Sequence, residues 1–334
     1  IHVIRSHRYK NLKQRSINEW VSTLPFHMEN ECMTSPLFHG VIPPVATILN
    51  ENEQLDRPGM ARLIDFAIEG GVNGLFFLGS AGEFAHMSQA LRHEVAEFCT
   101  EHVGGRVPVL IGAAHPGTAE TLAFAQHAKS VGADGVVVVN PYYNPVTEDA
   151  LYLHYRTIAE GAGLPVIMYN YPGLTGQPLP VSLITRLALE CPNIAGLKDT
   201  VDSLNHIRET IQAVKPHRPD FAVFSGYDEY LFGTLILGGD GAIPASANFA
   251  PQLTCGIYRA CKEKDFATAV ELQQRLSFLP PLYTLDTPIY NVIKYAISQV
   301  ISEIPVYSLK PALPLSNEKQ KVVREILQKA GVLN

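Results

Sequence analysis

The sequence has no hydrophobic run long enough to form a membrane-spanning helix. Its most apolar stretches, such as residues 135–139 and 221–224, have the length of β-strands, whereas a membrane-spanning helix needs about 20 consecutive apolar residues. Basic residues are also few, because 26 Lys and Arg face 32 Asp and Glu. They form no stripe interleaved with aromatic residues of the kind that binds nucleic acid. We therefore expect neither a membrane nor a nucleic acid as a partner.

Cysteine is scarce, and its spacing does not indicate disulfide bonds. No Cys-x-x-Cys pair occurs, and the odd number does not suit a disulfide framework: the five are Cys32, Cys99, Cys191, Cys255 and Cys261. We expect reduced thiols, which are typical of a cytoplasmic protein. Small buried hydrophobic side chains are the ordinary role of such cysteines.

Several catalytic signatures are missing as well. The 12 histidines are scattered, without a His-x-His or His-Glu-x-x-His motif or a nearby Cys/His cluster, so we expect no metal site. The sequence contains neither the phosphate-binding loop of nucleotide hydrolases nor the Gly-x-Ser-x-Gly motif of serine hydrolases. Both of these enzyme classes are therefore disfavoured.

The composition that remains is that of a globular enzyme, with 46% hydrophobic and 17% charged residues in a chain of 334. Residues 1–36 are richer in basic residues than the sequence that follows. They lack the apolar core of a secretory signal. We interpret them as an N-terminal extension outside the fold.

From residue 40 onward, short apolar runs alternate with amphipathic helical patterns. The runs are apolar at nearly every position, which is typical of parallel strands covered on both faces. A helical pattern follows each run, beginning for example after Ser88 as an N-cap. We predict eight strands, at residues 40–47, 73–79, 107–112, 135–140, 165–170, 194–199, 221–226 and 240–243.

Eight β-α units predict an α/β fold, the closed (β/α)8 TIM barrel, over residues 37–263. A doubly wound open sheet is the alternative, but its first strand usually leads into a glycine-rich phosphate loop. Here the first strand leads into Pro43 and Pro44. From residue 264 to 334 the pattern is purely helical, and we interpret this part as a helical appendage rather than a second catalytic domain.

Lys198 interrupts the apolar run of the sixth strand. Period-two alternation puts Gly196, Lys198 and Thr200 on one face, at the end of the strands where barrel active sites lie. If that face is the lumen, desolvation lowers the pKa of the lysine and yields a neutral amine that attacks a ketone to form an imine. A lysine that reaches solvent, or that pairs with Asp199, is the open alternative.

Two further strand ends carry candidates for the same site. Tyr169, at the end of the fifth strand, is expected to project its hydroxyl into the barrel mouth, where a phenol relays protons. A buried tyrosine with a single hydrogen bond is the ordinary alternative. Ser80 lies in a Gly-Ser-Ala-Gly-Glu turn at residues 79–83, whose backbone N–H groups are able to hold a carboxylate. Taken alone the turn is weak evidence, since a plain tight connection is its more common explanation.

The fourth and seventh strands end in aromatic and acidic residues. Two adjacent tyrosines stand between prolines at residues 140–145, and at least one of them is expected to reach the site. The seventh strand leads into Gly-Tyr-Asp-Glu at residues 226–229. There, the acidic side chains either bind substrate hydroxyls or serve the next helix, with Asp228 as its N-cap.

These motifs resemble those of the family of dihydrodipicolinate synthase and N-acetylneuraminate lyase. The resemblance extends from about residue 38 to residue 333. It rests on segments in the family's order and spacing at residues 79–83, 141–144, 169–176, 196–200 and 239–243. It implies a class I aldolase whose small-molecule substrate is a 2-oxo acid and which needs no cofactor beyond a lysine imine with pyruvate. It also implies a homo-oligomer, either a tetramer or a dimer.

The resemblance also implies roles for individual residues. Lys198 forms the imine with pyruvate, and Tyr169 relays protons. Tyr143 completes a hydroxyl relay through Ser80, in family members often across a subunit boundary. The remaining implied residues bind substrate at its carboxylate end or along its hydroxylated chain: Ala81, Gly82, Thr200, Gly226, Asp228, Glu229 and Ile243.

Departures from the family pattern favour one of its activities. Leu174 stands where dihydrodipicolinate synthases carry an arginine that grips the carboxylate of aspartate semialdehyde. Ala81 replaces a threonine of the carboxylate turn, and Ala245 replaces a serine of the lyase branch. The pattern is most similar to the branch that cleaves 2-keto-3-deoxy sugar acids, of the gluconate or pentonate type, to pyruvate and an aldehyde. Dihydrodipicolinate synthase, an N-acetylneuraminate lyase-like enzyme and a non-catalytic pyruvate-binding barrel remain as alternatives.

Overall fold

The centre of the molecule is a single parallel sheet. The computed structural model describes residues 35–334, so all but the last two residues of the predicted N-terminal extension lie outside it. The strands are β1 (Gly40–Val41), β2 (Leu75–Phe77), β3 (Val109–Gly112), β4 (Gly135–Val139), β5 (Val166–Asn170), β6 (Ile194–Asp199), β7 (Ala222–Ser225) and β8 (Gly241–Ala242). They are arranged in the order β1-β8-β7-β6-β5-β4-β3-β2, all parallel. The predicted TIM barrel is confirmed.

The sheet closes into a barrel just beyond β1. Pro44 forms a parallel bridge with Phe76 of β2; Phe76 N donates to Pro43 O at 3.0 Å, and Val45 N donates to Phe76 O at 2.8 Å. The first strand is nevertheless much shorter than the predicted 40–47. The physical reason is that Pro43 and Pro44 have no N–H to donate, so a regular ladder cannot continue through them.

Helices cover the outside of the barrel. They are α1 (Arg57–Glu69), α2 (Gln89–Val103), α3 (Thr118–Ser130), α4 (Glu148–Ala162), α5 (Pro172–Thr175), α6 (Val181–Glu190), α7 (Leu204–Val214), α8 (Leu231–Ile236), α9 (Pro251–Lys262), α10 (Phe266–Leu276), α11 (Tyr290–Val300) and α12 (Asn317–Lys329). The predicted cap at Ser88 is confirmed, because its side chain accepts from Leu91 N at 3.2 Å. None of the helices within residues 35–334 is long and apolar enough to cross a membrane.

The helices α10 to α12 follow the barrel, and they share its hydrophobic core. Val323 and Leu327 of α12 belong to the same buried cluster as the strands. The helix α11 lies against the turns at Ser80–Gly82 and Ala245–Asn248. These contacts bring residues of the C-terminal part to the carboxyl ends of the strands.

One buried amide ties the two ends of the barrel together. The side-chain oxygen of Asn248, which follows β8, accepts from Ala46 N at 3.0 Å, and its nitrogen donates to Pro44 O at 3.0 Å and to Ala245 O at 2.9 Å. These bonds satisfy backbone groups beyond β1 that the interrupted ladder leaves without strand partners. Asn248 is therefore a structural tie between the segments that follow β8 and β1, next to the point where the barrel closes.

We predict that Asn248→Ala lowers the free energy of unfolding by about 3 kcal/mol, because three bonds are lost and buried backbone groups are left unpaired. Urea unfolding measures the effect. The matched control is Gln126→Ala, which removes one exposed hydrogen bond to Gly161 O and should cost less than about 0.5 kcal/mol. Equal stability of the two variants would contradict the assigned role of Asn248.

Candidate active site

Lys198 lies inside the barrel at the carboxyl end of β6. Its side chain is buried, with 3% of the residue exposed. The Nζ atom is 4.1 Å from the centre of the Tyr169 ring and 5.2 Å from the centre of the Phe76 ring. Tyr169 is its register partner on β5. The amine is therefore held between aromatic rings and is not exposed at a strand end.

The alternative pairing with Asp199 is not formed. Asp199 follows on the opposite face of β6, where Asn170 Nδ2 donates to its Oδ1 at 2.8 Å and His206 Nδ1 lies 2.7 Å from its Oδ2. This contact with Asp199 raises the pKa of His206 against the opposing effect of burial. The strand thus separates the carboxylate of Asp199 from the amine of Lys198.

Burial sets the charge state of Lys198. Desolvation lowers its pKa from 10.5 to about 7, and the nearby Asp228 opposes that shift. A lysine with an ordinary pKa is neutral in only about one molecule in 3,000 at pH 7. Here a large fraction is neutral, and a neutral amine is the nucleophile that imine formation requires.

Tyr169 offers a phenol beside this amine. Its ring is buried, and desolvation raises the pKa of its hydroxyl well above the ordinary value of 10, with Tyr171 acting in the same direction. The neighbouring hydroxyls of Ser80 and Thr200 lower the pKa and partly offset burial. The phenol is therefore protonated at neutral pH and is able to donate a proton or pass one along.

The small-residue turn after β2 forms the opposite wall. Ser80 and Ala81 line a cavity of about 170 Å³ that also contains Lys198 and Tyr169. Gly82 does not line this cavity, and its N–H donates to Gly79 O at 2.9 Å. The amide of Gly82 thus holds the turn itself, and a role for Gly82 in substrate binding stays a prediction.

Thr200 and Gly226 form the floor of the same cavity, which Ile243 also lines. A side chain at position 226 would place its Cβ 1.9 Å from the hydroxyl of Thr200, so the strand end needs glycine there. The Thr200 hydroxyl is buried next to the phenol of Tyr169, whose pKa it lowers, and it borders the cavity. It is thus available to a bound molecule.

Asp228 is a buried carboxyl at this wall and not a helix cap. Its Oδ2 accepts from the hydroxyl of Tyr283, and its Oδ1 lies 3.4 Å from Ser246 N. Burial raises its pKa to about 7, although these two partners lower it. The helix after the seventh strand is preceded by a 3-10 turn at Asp228–Tyr230, and the side chain of Asp228 makes no capping bond to it.

Two predicted site residues lie away from the cavity. Glu229 does not line it, and its carbonyl accepts from Gln273 Nε2 at 3.2 Å. The structure does not bring Glu229 to the wall around Lys198, and its role in substrate binding stays a prediction. Tyr143 is 89% exposed with a left-handed φ of +76°, so within one chain it does not reach Ser80.

A second cavity of about 370 Å³ adjoins the first and shares Ser80, Tyr171, Tyr283 and Ile289 with it. Leu174, 61% exposed, lies on its wall. Among the described residues that line this cavity there is no Lys or Arg. It therefore lacks a guanidinium or ammonium group that would bind a second carboxylate.

Sequence reasoning missed the residues that the C-terminal part contributes. Tyr283, Ile289 and Ile293 line the cavity around Lys198. The segment at 280–289 has several prolines and no regular period, so its sequence does not predict that it lines a site. Within residues 35–334 no three His, Cys, Asp or Glu side chains are grouped to hold a metal ion.

Comparison with known proteins agrees with the motifs. The model of the dihydrodipicolinate synthetase family matches residues 37–330. Probable 2-dehydro-3-deoxy-D-pentonate aldolase YjhH of Escherichia coli is 49% identical over 296 residues, or 89% of this chain and 98% of that protein. Putative 2-dehydro-3-deoxy-D-gluconate aldolase YagE, also of Escherichia coli, is 47% identical over 88% of this chain and 97% of that protein.

Solved structures agree as well. The crystal structure of YagE in complex with pyruvate superposes with a TM-score of 0.88 at 46% identity, covering 89% of this chain and 100% of that chain. The resemblance inferred from the motifs is therefore confirmed. This chain belongs to the dihydrodipicolinate synthetase family.

Proposed function

We propose that this protein is a class I aldolase that reversibly cleaves a 2-keto-3-deoxy sugar acid, of the gluconate or pentonate type, to pyruvate and an aldehyde. One observation carries the proposal: the amine of Lys198 is buried against the ring of Tyr169 and has its pKa lowered to about 7. The similarity to YjhH and YagE supports the substrate class.

In the first half of the reaction, the neutral amine of Lys198 attacks the C2 ketone of the substrate. The tetrahedral adduct loses water when its hydroxyl is protonated, and the product is an iminium ion. We assign that proton to the phenol of Tyr169, which is protonated at neutral pH and lies beside the amine. No separate cofactor is needed, because the iminium itself accepts electrons.

In the second half, the C4 hydroxyl loses its proton and the bond between C3 and C4 breaks. Its electrons move to the iminium, which becomes an enamine, and the aldehyde leaves. Tyr169, which gave up its proton when the tetrahedral adduct lost water, takes the proton of the C4 hydroxyl and returns to its protonated form, as its raised pKa favours. Protonation at C3 and hydrolysis of the imine then release pyruvate and the free lysine.

The surroundings of Lys198 suit the two ends of such a substrate. Ser80 and Ala81 are proposed to hold the carboxylate, with Ile243 against the methylene carbons. Thr200 and Asp228 are proposed to bind hydroxyl groups of the chain beside Gly226, which leaves room for it. The adjoining cavity has tyrosines and no cation on its described walls, which suits an uncharged, hydroxylated aldehyde.

We further propose that the protein is a cytoplasmic homo-oligomer, a tetramer or a dimer. Tyr143 is fully presented to solvent in one chain; in an oligomer it would extend the hydroxyl relay of Ser80 in a neighbouring copy. The free cysteines Cys99, Cys191, Cys255 and Cys261 suit a reducing compartment.

Substrate choice is tested with a panel of acids and a lactate-dehydrogenase assay for pyruvate. We expect release from 2-keto-3-deoxygluconate or a 2-keto-3-deoxypentonate, with kcat lowered by roughly 10⁴-fold or more in Lys198→Met, because the covalent step is lost. Pyruvate consumption with aspartate semialdehyde, or cleavage of N-acetylneuraminate alone, would indicate another activity of the family.

Covalent trapping supplies the second arm of that test. Reduction of the enzyme with borohydride in the presence of pyruvate should add the reduced pyruvyl group to the peptide that contains Lys198. An unmodified peptide would overturn the proposal. Modification without turnover of any acid in the panel would instead indicate a pyruvate-binding protein that is not catalytic.

The pH dependence of trapping follows from the lowered pKa of Lys198. Only the neutral amine reacts, so the initial rate with pyruvate and cyanoborohydride should level off above pH 7 and fall about tenfold per unit well below it. The exposed Lys264, quantified in the same digest, is the internal control for a lysine in solvent. A rate at Lys198 that still rises between pH 8 and 10 would contradict the lowered pKa.

Tyr169→Phe tests the proton transfers assigned to the phenol. We expect kcat to fall by about 10²- to 10⁴-fold, while the amine remains buried and slow trapping with pyruvate persists. Tyr155→Phe is the matched control, because Tyr155 is equally buried but its hydroxyl donates to Val138 O at 3.1 Å. Equal losses of kcat in the two variants would show that Tyr169 acts only through packing.

A further inference from the structure

A fully buried ion pair lies directly behind the turn that carries Ser80. Glu83 ends that turn, and its carboxylate is paired with the ammonium group of Lys294 on α11; both side chains have 0% exposure. Glu83 adopts a left-handed φ of +63°, a conformation that non-glycine residues seldom adopt without external support. Leu78, which precedes the turn, also has a left-handed φ, of +58°.

Both partners of the pair bind a second segment as well. The Oε2 atom of Glu83 accepts from Leu309 N at 2.8 Å, and Lys294 Nζ donates to Tyr307 O at 2.5 Å. The pair thus joins the turn at Ser80–Glu83 to two pieces of chain that are more than 200 residues later in sequence, α11 and residues 307–309. Each charge has a hydrogen bond in addition to its partner.

The position of Glu83 is transmitted to the cavity by short connections. Its N–H donates to Ser80 O at 3.3 Å, and Gly82 O accepts from the hydroxyl of Thr47 at 2.9 Å. The residue before Lys294, Ile293, lines the cavity around Lys198. A shift of the Glu83 side chain therefore moves Ser80 and Ala81 relative to Lys198.

Stability alone does not account for a charged pair in this place. Removing two charges from water is costly, and apolar side chains of similar volume often stabilise a fold as well or better. A charged pair differs in being directional, because its geometry fixes both partners. That property is useful where a turn must be held at a set distance from a reactive amine.

We propose that Glu83 and Lys294 are positioning residues that hold the Ser80–Ala81 turn at the distance from Lys198 at which the carboxylate of a 2-oxo acid binds. This inference rests on the proposed imine chemistry of Lys198. Both side chains of the pair are fully buried, and neither residue lines the cavity around Lys198. Its loss should weaken recognition of the carboxylate while the amine keeps its reactivity.

The experiment compares two carbonyl probes, each of which forms an imine with Lys198 and releases water. Pyruvate has a carboxylate, and acetone has none. In Glu83→Gln and Lys294→Met we expect the pyruvate concentration for half-maximal borohydride trapping at Lys198 to rise by about tenfold or more. Trapping by acetone should change by less than about threefold, because the desolvated amine is unchanged.

Lys215→Met is the matched control. It breaks an ion pair in which Lys215 Nζ lies 2.8 Å from Asp240 Oδ1. This pair lies at the amino-terminal end of β8, away from the cavity. It should alter neither probe's trapping, even if it lowers the thermal midpoint. Glu83→Asp, which keeps the charge but shortens the side chain by one methylene, serves if the other variants do not fold, and it should show the same selective loss.

The outcomes are distinct. Selective loss of pyruvate trapping in a variant whose circular dichroism spectrum is native supports the positioning role. A parallel loss of both probes, or no change in either, overturns it. Failure of the unaltered protein to trap pyruvate would overturn the proposed function instead.

Discussion

The removal of one ammonium group from water is the constraint on which the site depends. Lys198 lies near the end of β6, next to the rings of Tyr169 and Phe76. Desolvation lowers its pKa to about 7. Water in that place would restore the ordinary pKa and leave the amine charged and unreactive. The apolar strands and the cover that the C-terminal part supplies both serve to keep this position dry.

The polar groups around the amine are placed so that they do not abolish this effect. Asp228 favours the charged form of Lys198, but burial raises the pKa of that carboxyl to about 7 as well. A fully ionised carboxylate would stabilise the ammonium more strongly. Asp199, whose carboxylate is bound to Asn170 and His206, lies on the other face of β6. The site therefore holds an amine and a carboxyl that both titrate near neutral pH.

The C-terminal part is more than an outer support for the barrel. Its residues Tyr283, Ile289 and Ile293 form a wall of the cavity around Lys198, and Tyr283 binds the carboxyl of Asp228. Lys294 on α11 reaches Glu83 behind the carboxylate turn. The barrel supplies the reactive groups, while the helical part determines where several of them stand and how far water penetrates.

The sequence alone determined the features that depend on local periodicity. Alternation along β6 put Lys198 and Thr200 on one face, and the apolar runs and caps located the barrel units, because these patterns depend on neighbours a few residues away. Only the tertiary structure decided that the Gly82 amide binds Gly79 O and that Glu229 does not line the cavity around Lys198, since turn conformation sets where these residues lie. Likewise, no local pattern couples Glu83 to Lys294, because that contact depends on how a helix two hundred residues later docks on the barrel, through packing that periodicity does not encode.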